Sequence, residues 1–170
     1  MAKFTCPLQA AYDEWENRHV MHGDRRPVTA EEAAAVLGYV WQMCGLPNRP
    51  PQVLRVTRDS RLWEPGAAAY VEHDGWRVVL QAAWCNTAAV LHEAAHLLTD
   101  DPLDAAELRP CAEVPRHGPL FMQNALWLYG RLLGPACNPF RLRATMPAAL
   151  NPLQIPLHPV IWGKPRSDLA

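Results

Sequence analysis

The sequence predicts an α+β domain. Three observations support this prediction: two helical patterns open the chain, a group of strand-like segments follows, and two more helical patterns come after it. With 170 residues the chain is long enough to bury a core without disulfide bonds. No stretch approaches the ~20 consecutive apolar residues that cross a bilayer, so no membrane partner is expected.

Two helices are predicted before residue 46. Residues 8–20 form a short first helix. In the second helix, Thr29 and Glu32 have the spacing of a capping box, while Gly45 and Pro47 mark its end. Its apolar side chains recur with helical spacing and predict one buried stripe. This stripe consists of Ala33, Val36, Leu37, Val40, Trp41 and Cys44.

The strand-like segments predict a short antiparallel sheet that contains a hairpin. Residues 52–57 form one β-type run, and residues 67–73 and 76–81 form two more. Between these last two runs, the pair Asp74-Gly75 suits a two-residue type I′ turn. Because residues 76–81 lead directly into the next helix, we expect the sheet to pack on that helix and residues 67–73 to form an edge strand.

Two helices and a proline-rich segment complete the chain. Asn86 or Thr87 can cap a helix through residues 88–100, and a further helix follows residue 118 and ends near Gly134. We therefore predict one domain over residues 1–137, which includes the first helix. Residues 138–170 are too rich in proline for long helices and are expected to form an extended tail that docks on a protein partner.

Charge and cysteine content limit the class of protein. Sixteen basic and seventeen acidic residues give a formal net charge of −1, which argues against nucleic acid as a partner. The five cysteines include no C-x-x-C pair, and the first fifteen residues lack the pattern of a signal peptide. We therefore expect reduced thiols and a cytoplasmic location.

The segment LHEAAHLLTD, residues 91–100, carries two histidines and a glutamate within an otherwise apolar helical pattern. His92 and His96 are four residues apart, so they lie on one helix face and can bind one zinc ion. Glu93 can then act as the base for a zinc-bound water. The alternative is a pair of core histidines bonded to the backbone, which would bury three polar groups together.

A catalytic zinc usually has a third protein ligand and an open fourth position. The downstream candidates are Asp100, Asp101, Asp104, Glu107, Cys111, Glu113 and His117. His117 is favoured because Gly118 and Pro119 place it at the start of an apolar helix that must pack on the core. A loop carboxylate remains the alternative, and Cys111 is expected to be an ordinary thiol.

Other candidate residues are expected to be structural. Tyr70 and Tyr129 could assist an oxyanion, but each fits an apolar stripe, which favours a packing role. The remaining histidines stand alone among polar or turn residues, so we expect them to face solvent. They are His19, His22, His73 and His158.

The motifs HEAAH at residues 92–96 and HGPLF at residues 117–121 resemble those of the zincin metallopeptidases, most closely the SprT-like branch. They are also similar to a small bacterial and phage family of metallohydrolases with an H-G-P-x-F second motif. The similarity covers roughly residues 28–134 in the order of elements. It implies a zincin-like fold with His92, His96 and His117 as zinc ligands and Glu93 as the base.

The sequence therefore predicts a zinc-dependent metallopeptidase that hydrolyses amide bonds of a protein or peptide substrate. The alternative is a non-catalytic zincin-fold scaffold or interaction protein in a larger assembly, such as that of a phage. Glu93 favours the enzyme, because a scaffold does not need a base beside its metal.

Overall fold

The structure, a computed structural model, describes residues 9–21, 26–65, 67–72, 76–99, 117 and 119–148. This part of the chain contains five α-helices and three strands, which confirms the α+β class. They are α1 (Gln9–His19), α2 (Ala30–Cys44), β1 (Gln52–Arg55), β2 (Ala69–Glu72), β3 (Arg77–Leu80), α3 (Thr87–Thr99), α4 (Pro119–Leu132) and α5 (Pro139–Ala144).

The sheet is mixed, so the prediction of a purely antiparallel sheet was wrong. The central strand β3 pairs antiparallel with β2, as the predicted hairpin requires, and parallel with β1. The chain runs up in β1, down in β2 and up again in β3. Because β3 lies between the other two strands, β1 and β3 become parallel neighbours. The turn predicted at Asp74-Gly75 lies outside the described residues.

The predicted edge strand is confirmed. The strand order is β1-β3-β2, so β2 is at one edge, and no other strand among the described residues pairs with its outer side. β2 also contacts α3, the helix that carries the HEAAH motif. In contrast, Val78, Val79 and Leu80 of β3 are completely buried, as expected for a central strand covered by helices.

Local hydrogen bonds fix the starts of α2 and α3. The Glu32 N–H donates to Thr29 Oγ1 at 3.1 Å, and the Thr29 N–H donates to Glu32 Oε2 at 2.8 Å, which completes the predicted capping box. Gly45 ends α2 in the left-handed conformation at φ 64°. In α3, the Ala89 N–H donates to Asn86 Oδ1 at 3.0 Å, so Asn86 is the cap.

The core is centred on α3 and α4. Every residue from Phe121 to Tyr129 is buried, so α4 is enclosed around its whole circumference rather than along one stripe. Asn124 Nδ2 donates to Thr99 Oγ1 at 3.0 Å, which links α4 to the end of α3. None of the helices that the structure describes has both the length and the apolar character needed to cross a membrane.

The predicted tail begins with the short helix α5. Asn138 accepts backbone hydrogen bonds from Phe140 and Arg141 and is followed by Pro139, a combination that starts a helix. Leu142 of α5 is buried against the core. An extended conformation is therefore wrong for residues 139–144, and residues 149–170 of the predicted tail lie outside the described part of the chain.

Candidate metal centre

The three predicted ligand histidines lie together. His92 and His96 stand one turn apart on α3, and their Nε2 atoms are 3.2 Å apart. The packing of α4 on α3 brings His117, which precedes α4, to the same point. Its Nε2 atom lies 3.3 Å from His92 Nε2. All three ligand nitrogens are within 4.8 Å of one another.

This geometry suits a single metal ion. Two nitrogens bound to one tetrahedral zinc at about 2.0–2.1 Å are about 3.3–3.4 Å apart, close to both Nε2 separations from His92. A ring nitrogen has either one proton or one lone pair, so a simple two-centre hydrogen bond at His92 Nε2 accounts for only one of its two contacts, whereas a shared metal ion accounts for both. The His92, His96 and His117 group could therefore bind a metal ion.

Aromatic rings enclose the histidines. The Tyr12 ring stacks on the His117 ring, with centroids 4.7 Å apart and planes inclined by 21°. The Phe121 ring lies 4.4 Å from His96, 4.7 Å from His117 and 5.2 Å from His92. An apolar shell of this kind limits access of water and restricts the rotation of the imidazole rings.

Glu93, the predicted base, is buried in α3 with only 6% of its surface exposed. It follows His92 directly, so one helix holds two candidate ligands and the carboxylate. The negative charge of Glu93 acts on His92, where it is one of the contributions that raise the pKa of the ring. A buried carboxylate in an apolar helix is costly, and its proximity to a cationic or metal-binding site offsets this cost.

A second buried carboxylate, Glu16 of α1, was not predicted as part of the site. Its Oε1 atom lies 3.2 Å from His92 Nδ1. The Tyr12 hydroxyl donates to the same oxygen at 2.5 Å, and the Tyr129 hydroxyl also donates to it. The two hydroxyl oxygens are 2.9 Å apart. Glu16 thus lies behind His92, on the Nδ1 side of a ring whose Nε2 faces the other histidines.

These contacts determine the charge states of His92 and Glu16. Burial lowers the pKa of His92, but the charge of Glu16 and its hydrogen bond outweigh burial and raise that pKa to about 9. Burial raises the pKa of Glu16, but His92 and the two tyrosine hydroxyls outweigh it and leave the pKa lowered. Metal binding would therefore displace a proton from His92.

Both tyrosines of this network remain hydrogen-bond donors. Burial and the charge of Glu16 raise the pKa of Tyr12 and the pKa of Tyr129 well above their usual value. The Tyr129 hydroxyl is thus engaged inside the core, and the Tyr70 hydroxyl donates to the Leu62 carbonyl at 2.5 Å. The complete burial of Tyr129 agrees with its predicted packing role, whereas Tyr70 is only half-buried.

Some predicted residues are placed differently or lie outside the described part of the chain. His19 is half-buried beside Trp15, with ring centroids 6.3 Å apart, rather than in solvent. The other candidate ligands and isolated histidines have no described position. They are Asp100, Asp101, Asp104, Glu107, Cys111, Glu113, His22, His73 and His158.

No protein-family model, no curated protein and no solved structure matches this chain. Its function is therefore inferred from the residues of the site. These are three convergent imidazoles and two buried carboxylates, carried by α1, α3 and His117, which precedes α4.

Proposed function

We propose that this protein is a zinc-dependent metallopeptidase with a zincin-like fold, most similar to the SprT-like branch. The observation that best supports the proposal is the convergence of three Nε2 atoms, with separations of 3.2 and 3.3 Å from His92. Three protein ligands and an open position are typical of catalytic zinc sites, whereas structural sites have four.

Zinc is the metal that best suits these ligands. Imidazole nitrogen binds zinc, copper, iron and nickel, and the two Nε2 separations from His92 are close to those expected for a tetrahedral zinc site. When bound, zinc polarises a carbonyl group and lowers the pKa of a coordinated water to about 7. His92, His96 and His117 would hold the ion as neutral ligands.

Glu93 would supply the proton transfers. We propose that its carboxylate accepts a proton from the attacking water and delivers that proton to the amide nitrogen as the peptide bond breaks. Because Glu93 and two ligands are on the same helix, the backbone fixes their relative positions. The substrate is a protein or peptide, and the edge of β2 beside α3 offers it a pairing surface.

The cysteines support a reducing, cytoplasmic location for this activity. Cys44, Cys85 and Cys137 are free and buried. Burial raises the pKa of each of these thiols, which makes them unreactive.

The substitution Glu93→Gln tests the proposal. The amide preserves the shape of the side chain but cannot accept the proton, so hydrolysis of a peptide library should fall by at least ~10² while zinc is retained. Glu31→Gln is the matched control, because Glu31 is an exposed acid in the first turn of α2. Cleavage is followed by mass spectrometry and zinc content by elemental analysis.

Two results would contradict the proposal. Equal cleavage by wild type and Glu93→Gln would exclude Glu93 as the base. A zinc-loaded wild type that cleaves no peptide of the library would favour the non-catalytic scaffold.

A further inference from the structure

The polar helix α1 contributes directly to the metal centre. Its buried side chains Tyr12, Trp15 and Glu16 have 0%, 3% and 5% of their surfaces exposed. Two of these three side chains contact candidate ligands: Glu16 reaches His92 Nδ1 at 3.2 Å, and the Tyr12 ring stacks on His117. A helix that only covered the core would not need a buried carboxylate at this position, since an apolar side chain would fill it without a desolvation cost.

We infer that Glu16 is a positioning residue of the metal centre, which holds His92 in the tautomer that directs the Nε2 lone pair toward His96 and His117. The inference rests on the proposed metal binding by these histidines. A neutral imidazole has one protonated and one unprotonated nitrogen. A carboxylate at Nδ1 keeps the proton there and leaves Nε2 unprotonated as a ligand, and it also increases the basicity of that ligand.

The hydrogen bonds around Glu16 fix the position of its carboxylate. The hydroxyls of Tyr12 and Tyr129 donate to the same Oε1 atom that faces His92. Tyr12 belongs to α1 and Tyr129 to α4, so the oxygen is held from two helices. His92 is therefore oriented by contacts from α1 and α4 as well as by its own helix, which links the docking of α1 to the geometry of the ligands.

A purely structural role for Glu16 is the competing explanation. In that case Glu16 would serve to anchor α1 through the two tyrosines, and its loss would change stability without a specific effect on the metal. Tyr129→Phe separates the two roles. It removes one anchoring hydrogen bond from Glu16 and leaves the contact between Glu16 and His92 in place.

The experiment compares zinc affinity in the full-length wild type, Glu16→Gln and Tyr129→Phe, by competition with a chromophoric chelator. Glu14→Gln is the matched control, because Glu14 is an exposed acid on the same helix. We expect Glu16→Gln to bind zinc 10- to 100-fold more weakly than wild type. Tyr129→Phe should change affinity far less, and Glu14→Gln should bind like wild type. The visible spectrum of the cobalt(II)-substituted protein should change more for Glu16→Gln than for Tyr129→Phe, and it should not change for Glu14→Gln.

A second measurement uses only the wild type, so it does not depend on the folding of a variant. Long-range ¹H–¹⁵N spectra of the zinc-loaded, ¹⁵N-histidine-labelled protein should show His92 with its proton on Nδ1 and zinc on Nε2. Zinc on Nδ1 of His92 would overturn the inference, as would a folded Glu16→Gln with the affinity of wild type. If the wild type binds no zinc, the proposed metal centre fails and this inference fails with it. If wild type and Glu16→Gln bind zinc equally, only the role of Glu16 is wrong.

Discussion

The outer edge of β2 is expected to pair with an extended substrate. The Gln81 N–H donates to the Ala68 carbonyl at 2.9 Å. Because Ala68 and Gln81 continue the register of β2 and β3, this hydrogen bond shows which residues of β2 direct their backbone groups toward β3. Alternate residues of an antiparallel pair direct their N–H and C=O groups toward the partner strand. Ala68 and Tyr70 therefore bond to β3, whereas Ala69 and Val71 direct their backbone groups toward the open edge.

Ala69→Pro tests this geometry. Proline removes the outward N–H of residue 69 without removing a hydrogen bond between β2 and β3, and proline is tolerated on edge strands. One lost hydrogen bond to the substrate costs ~0.5–1.5 kcal/mol, which corresponds to a fall of roughly 2- to 13-fold in kcat/KM. Ala69→Ser retains the N–H and a small side chain, so it should cleave like wild type.

The assay measures kcat/KM on a cleaved peptide together with zinc content and Tm. Tyr70→Pro is the opposite control, because it removes a donor to β3 and should lower Tm and activity together. If Ala69→Pro keeps its zinc and its Tm and cleaves at the rate of wild type, the substrate does not pair at residue 69. If Ala69→Pro unfolds, the N–H of residue 69 bonds to β3, and the assignment of Ala69 to the open edge is wrong.

Two further predictions concern the metal. Protein purified without added metal should contain about one zinc per chain. At a free zinc concentration ~100 times Kd, the bound ion should raise the free energy of unfolding by ~2.7 kcal/mol, which corresponds to roughly 5–11 °C in Tm. Absence of zinc, with an unchanged Tm in chelator, would contradict the proposed centre. His117→Ala should weaken zinc binding more than Glu16→Gln does, whereas Glu107→Ala and Glu113→Ala should leave it unchanged. The opposite order, measured by the same chelator competition, would identify a loop carboxylate as the third ligand.

The fold could be predicted from the sequence where the signals are local. Thr29 and Glu32 are three residues apart, and Gly45 directly follows the last helical residue, so the ends of α2 can be recognised without tertiary information. The direction of β1 could not be predicted. It depends on whether β1 pairs with β2 or with β3, and no residue of such a short strand specifies its neighbour.

In the candidate site, too, the sequence predicts what local spacing determines but not which distant segments come into contact. His92 and His96 can be recognised from the sequence because a spacing of four residues places them on one helix face, and Glu93 completes the same motif. Glu16 is 76 residues from His92 in the chain, so only the packing of α1 brings its carboxylate to the ring. One signal was available in the sequence. Tyr12, Trp15 and Glu16 have the i, i+3, i+4 spacing of a single helix face, which places a carboxylate on the apolar side of α1.

Two buried carboxylates, Glu16 and Glu93, lie near the candidate ligands, and their positions differ in how well they suit the proposed base. The Oε1 atom of Glu16 accepts hydrogen bonds from Tyr12 and Tyr129 and also faces His92 Nδ1. If this oxygen took up a proton, it would have to give up hydrogen bonds from these three donors. The oxygen also lies at the Nδ1 side of the His92 ring, away from the point where the Nε2 atoms converge. Glu93 follows His92 in the helix that carries two of those three nitrogens. These positions support the proposed division of roles, in which Glu16 orients a ligand and Glu93 is the base.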